Sequence, residues 1–103
     1  MLHLSMFIQP DIVYVSKERL SIIKKHIHGV PDLVVEILSE GTMNDNLNRK
    51  KDLYERFEIK EFWSVNANTK EAVGFENIHG KYIEFYRNIG ILSSKLLNHS
   101  FEF

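Results

Sequence analysis

Apolar and polar positions divide the 103 residues into a short series of elements. Residues 7–15, FIQPDIVYV, set β-branched and aromatic residues behind a proline, and proline at the first position of a strand forfeits no ladder bond. A strand is therefore predicted at about 11–15. Residues 16–29, SKERLSIIKKHIHG, bring Leu20, Ile23 and Ile27 to helical spacing but are short and end in a β-branched pattern, which leaves helix and irregular loop both open. Residues 31–39, PDLVVEILS, open again on Pro-Asp and run on as a nearly unbroken apolar stretch. That is the signature of a strand covered on both faces, and it predicts the centre of a sheet. After the loop EGTMNDN, residues 47–57 align Leu47, Lys50, Tyr54 and Phe57 on one face of a helix, with Asp45 or Asn46 as its cap. EFWSVNA at 61–67 reads as a strand, NANTK as a turn, and residues 72–87 as a hairpin around IHG. The tail, GILSSKLLNHSFEF, ends with Phe101 and Phe103 on one face of a last strand. With no repeat and no linker, residues 1–103 are expected to form a single α/β (α+β) domain.

Composition narrows this picture by exclusion. A chain that is 44% hydrophobic with five Gly and two Pro is an ordinary folded globule. Because it has no cysteine, disulfides, thiolate zinc sites and a Cys nucleophile are excluded together. Thirteen basic and fourteen acidic side chains leave a formal charge of −1, so any contact with nucleic acid must be local and not a global attraction. The longest apolar run is LVVEIL, and Met1 leads into LHLSMF without a basic start or a small-residue cleavage site. Neither a membrane span nor a secretory signal is expected, and the cytoplasm is the expected location.

The most informative residue is an acid in an apolar run. Glu36 lies inside LVVEIL, where a strand covered on both sides does not tolerate an unpaired charge. By strand alternation Asp32, Val34, Glu36 and Leu38 share one face, opposite Leu33, Val35 and Ile37. Pro10-Asp11 sets a third carboxylate at the start of another strand. If the two strands are neighbours, Asp11 and Glu36 converge on a hard cation such as magnesium, which binds through one or two carboxylates, water and phosphate oxygens. The competing readings are a buried salt bridge or an edge strand for Glu36, and turn or strand-start chemistry for Asp11 and Asp32. Lys50, between Leu47 and Tyr54 on the inward helix face, is the candidate partner for Glu36; its alternative is to snorkel to the helix edge. Lys51 points a further hundred degrees round the helix. His26 and His28 have no third ligand at a zinc-like spacing, while His3, His79 and His99 stand alone. No phosphate-binding Gly loop, nucleophile elbow or basic aromatic stripe is present.

PDLVVEILSEGT followed by NRKKDLYERFEIKEFWSVN resembles the core of the Uma-two family of restriction endonucleases, within the PD-(D/E)XK nuclease superfamily. The matching elements are Gln9-Pro10-Asp11, residues 31–39, Lys50 with Tyr54 four residues on, and Glu61-Phe62-Trp63. The resemblance implies a restriction-endonuclease-like mixed sheet flanked by helices. Within it Asp11 supplies the motif's Asp, Glu36 its second acid, and Lys50 the lysine that in this family sits on the helix instead of at Leu38. Asp32 matches a recurrent family acid and is a supporting residue. The implied activity is hydrolysis of DNA phosphodiester bonds with Mg (or Mn) held by Asp11 and Glu36 and catalysis carried by Asp11, Glu36 and Lys50.

The sequence also departs from the family pattern. Family members usually carry further elements before the Asp11 strand, so the chain is expected to be an N-terminally shortened member, the C-terminal core portion of the fold. Ser-Pro-Ser-Thr is here Ser39-Glu40-Gly41-Thr42, the helix-start Asp is Asn46, and Val-Asp-Pro is Val65-Asn66-Ala67. Two functions follow from this: a metal-dependent DNA endonuclease, or a catalytically inactive remnant serving as an oligomerisation or interaction module, with a homodimer covering its exposed apolar faces.

Overall fold

The computed structural model describes residues 10–16, 30–39 and 45–103. The segment whose reading stayed open, apart from Ser16, lies outside these residues, as do His3, His26, His28, Gln9 and positions 40–44. Five strands form one mixed sheet in sequence order: β1 (Ile12–Tyr14), β2 (Leu33–Leu38), β3 (Glu61–Asn66), β4 (Glu71–Ile78) and β5 (Lys81–Ile89). β1 is antiparallel to β2, β2 parallel to β3, and β3, β4 and β5 run antiparallel in turn. The helix α1 (Asp45–Arg56) lies in the crossover between the parallel pair, as such a pair requires. β6 (Ile91–Ser94) and β7 (His99–Glu102) form a separate two-stranded sheet. This is the expected α+β class.

One expectation about the sheet is corrected. Among the described strands the centre is β3, not β2: β3 has two of them on either side, and its first four residues are all buried. β2 is covered on both faces only over Leu33–Glu36; Ile37 beyond them is 46% exposed. An unbroken apolar run reports burial of both faces, which a non-central strand also achieves where helix and hairpin both reach it.

Alternation along the strands builds two cores. On the helix side Val34 and Phe62 meet Tyr54, Ile59 and Tyr82, with Leu47, Phe57 and Phe75 packed around them. On the opposite side Leu33, Val35, Trp63 and Ala72 form a second cluster, against which Phe85, Tyr86, Leu92 and Leu97 pack. The tail contributes through this second core. Two strands stand where the sequence suggested one, and β7 pairs with β6 around the turn at 95–98. Buried Glu61 fixes that hairpin, accepting hydrogen bonds from the Leu96 backbone N–H at 2.8 Å and from Trp63 Nε1 at 2.6 Å.

The β4–β5 connection is a two-residue turn at His79-Gly80, with φ of 52° and 87°. Two consecutive positive φ values give the turn whose twist matches the flanking strands. Gly74 has a different reason. It lies opposite Trp63 in the ladder, and a Cβ there would fall 2.6 Å from the indole ring. Only a residue without a side chain lets Trp63 lie flat across β4.

Candidate active site

The site forms toward the C-terminal end of β2. Asp11 stands one residue before β1, and extending the β1–β2 register past the Ile12–Val35 pair brings it level with Glu36. Residues facing each other across an antiparallel pair share a sheet face, so both carboxylates project toward α1. Where the β1 ladder ends, the side chain continues it: Asp11 Oδ2 accepts a hydrogen bond from the Ile37 N–H at 2.7 Å. That bond fixes the carboxylate and leaves Oδ1 without a partner among the described residues.

Glu36 is buried and meets two donors from consecutive turns of α1. Lys50 Nζ lies 3.0 Å from Oε1, and the Tyr54 hydroxyl donates to Oε2 at 2.5 Å. Residues four apart on a helix hang over one surface, so the helical phase that buries Leu47 and Phe57 also delivers these two groups. The Lys50 side chain is 32% exposed, which leaves the ion pair open on one side to a cleft of about 230 Å³ lined by Asp11, Glu36, Lys50, Leu38 and Leu47. Burial, above all, then the hydrogen bond to Glu36 and the charges of Glu36 and Asp11, hold the Tyr54 phenol far above the ordinary tyrosine range. Tyr54 is therefore a fixed donor and not a base.

Asp32 lies at the other end of β2, about 13 Å of strand away from Glu36 by the rise per residue. It is buried, accepts a hydrogen bond from the Ser16 N–H at 2.7 Å, and lies 3.5 Å from Lys60 Nζ. It joins the end of β1 to the start of β3 and does not line the cleft. Among the described residues no group of three or more His, Cys, Asp or Glu side chains gathers as a cation cluster, and the two carboxylates of the cleft stand as a pair.

Residues 4–95 match the model of the Uma2 family, whose description is "Putative restriction endonuclease". The chain belongs to the Uma2 family. No match was found among curated proteins. In this Uma2 protein, then, Asp11, Glu36 and Lys50 come to one cleft and Asp32 stands apart. Two residues of the same neighbourhood carried no role in the sequence. Tyr54 was legible as an apolar-face residue and as the family-pattern Tyr four residues after Lys50, but without a role; that spacing of four is the signal that it reaches the same acid. Ser64 is paired in register with Glu36 across β2 and β3, a relation that needs the strand order to be seen.

Proposed function

We propose that this Uma2 protein is a metal-dependent endonuclease that hydrolyses DNA phosphodiester bonds, with Asp11, Glu36 and Lys50 as its catalytic residues. The observation that carries the reading is that an acid before β1, an acid within β2 and a helix lysine line one cleft, with Lys50 Nζ 3.0 Å from Glu36. Asp11 and Glu36 suit magnesium or manganese. They offer hard oxygen donors, and such ions bind through one or two carboxylates together with water and phosphate oxygens. When bound, the cation supplies polarisation of the scissile phosphate and neutralises charge in the pentavalent transition state.

The chain's own groups do the remaining work. The Ile37 N–H holds Asp11 in place, and Tyr54 does the same for Glu36 while excluding water from behind it. Lys50, presenting its ammonium to the open side of the cleft, orients the attacking water or helps to deprotonate it. Asp32 supports the site at a distance by holding β1 and β3 on either side of β2.

Calorimetric titration with manganese, run on the wild type and Glu36→Gln, tests this directly. Saturable binding lost in the variant, together with metal-dependent DNA cleavage lost in Glu36→Gln and Lys50→Ala, is the expected outcome. Cleavage that survives Glu36→Gln sinks the assignment.

A second reading, a non-catalytic module that pairs with another copy of itself, is favoured by one observation. An apolar groove of about 520 Å³ on the face away from α1 is lined by Ile12, Tyr14, Ile37, Phe101 and Phe103, each at least 37% exposed. A dimer by light scattering that ignores manganese would favour it; a monomer that binds manganese favours the nuclease.

A further inference from the structure

A second depression lies beside the cleft, between α1 and strands β3, β4 and β5. Leu38 and Leu47 line both, so the two are neighbours across a shared apolar wall. Its volume is about 270 Å³, and Ser64, Lys51 and Phe75 face it.

Ser64 is the anomaly. The residue is only 6% exposed, yet its hydroxyl has no hydrogen-bond partner among the described residues. The other buried polar side chains are all engaged: Asp32 by Ser16, Glu36 by Lys50 and Tyr54, Glu61 by Trp63 and Leu96, and Ser94 by Leu97. A buried hydroxyl left unmatched is costly and calls for a reason. Lys51 is the second anomaly. Its ammonium makes no ion pair among the described residues and sits 4.2 Å from the centre of the Phe75 ring. The other cation of the groove, Arg87, is held by Glu71 at 3.2 Å and Glu84 at 2.8 Å. Two donors without a hydrogen-bond or ion-pair partner among the described residues thus face one groove, whose Glu71 is already paired with Arg87.

We propose that this groove is the subsite for a phosphate of the nucleic-acid strand adjacent to the scissile one, bound by the Ser64 hydroxyl and the Lys51 ammonium. The inference rests on the nuclease reading and deepens it. A base does not fit the groove equally well, because Phe75 stacks on Phe62 and carries Lys51 on its ring. The groove and the cleft lie side by side on one sheet face: Ser64 and Glu36 are register partners on adjacent strands, about 4.8 Å apart, so a strand lying across one passes the other. Free phosphate is disfavoured as the occupant because Arg87 is already taken by Glu71 and Glu84, which leaves Lys51 as the one cation of the groove without an ion pair among the described residues. A strand already held in the neighbouring cleft reaches the groove at high effective concentration.

The test is fluorescence anisotropy of a short labelled single-stranded DNA in chelator, with manganese calorimetry and thermal unfolding on the same proteins. Ser64→Ala is expected to weaken DNA binding roughly three- to tenfold. It should keep the wild-type Tm or raise it, since the hydroxyl has no partner to lose. Lys51→Gln should weaken binding comparably, reduce the slope of log affinity against log salt by about 0.7, and leave manganese binding intact. Ser64→Ala that lowers Tm and leaves DNA binding unchanged would make the hydroxyl structural and overturn the proposal. So would wild-type protein that fails to bind the DNA, or binds inorganic phosphate as tightly. If manganese binds and is lost in Glu36→Gln while both groove variants hold DNA normally, the subsite fails and the nuclease reading stands. If DNA binding drops in both variants of a protein that binds no manganese, the subsite stands and the nuclease reading fails.

Discussion

Glu36 spends both of its oxygens on α1, and the two bonds differ in kind. The bond to Lys50 is partly open to water, whereas the bond from Tyr54 is buried. Tyr54→Phe removes the donor and leaves a buried carboxylate oxygen unmatched, a loss of about 1.5–3 kcal/mol by the usual worth of hydrogen bonds to charged groups. Urea unfolding measures it, and no change in midpoint would mean that the bond contributes nothing. Tyr54 also fixes a pH dependence. Its phenol and that of Tyr82, raised by burial and by Glu55, hold their protons well above the ordinary value of about 10. Above that pH the unfolded chain releases protons that the folded one retains, so stability is intact below about pH 10 and falls as pH rises beyond it. Unfolding midpoints at increasing alkalinity should decline, and less steeply in Tyr82→Phe. At this scale the sequence disclosed what breaks a pattern: an acid in an apolar strand and a lysine on an apolar helix face. It did not disclose Ser64, because a serine within EFWSVN fits a strand whichever way it faces.

The elements depend on residues that meet only after folding. Trp63 is buried between β4 and the second core, its ring 5.5 Å from Phe85 and 5.3 Å from Tyr86, and it lies across Gly74. Gly74→Ala drives a methyl into the indole, and because Trp63 is fully buried, a cost of about 1–3 kcal/mol is expected from overpacking. Tryptophan emission during denaturant unfolding reads this out; a variant as stable as wild type would mean that the ring shifts without penalty. The hairpin around His79-Gly80 and the helix were legible because turn chemistry and helical period are local signals. The identity of the central strand was not. Strand order is set by long-range pairing, and the apolar run of β2 is equalled by the burial of EFWS in β3, whose leading acid disguises it. Glu61 is that acid, and its role as the clasp of the β6–β7 hairpin depends on Leu96, 35 residues away.

For the molecule as a whole, the cleft is a product of topology. Asp11 and Glu36 are 25 positions apart and become neighbours only because β1 runs antiparallel to β2 in a register that the turn chemistry of neither strand announces. Asp11 is held there by the Ile37 N–H, and Glu36 by Lys50 and Tyr54. A cation bound between them would stabilise the fold by mass action, since the unfolded chain does not bring the acids together. At a manganese concentration a hundred times its dissociation constant the gain is about 2.7 kcal/mol, which for a domain of this size corresponds to a rise in Tm of roughly 10 °C. Differential scanning calorimetry with and without manganese should show that rise in the wild type, and no rise in Asp11→Asn or Glu36→Gln. Comparing each variant with itself removes whatever the substitution does to the fold on its own. Equal shifts in all three proteins would locate the cation elsewhere, and the pair of acids would then be an element of the sheet's architecture alone.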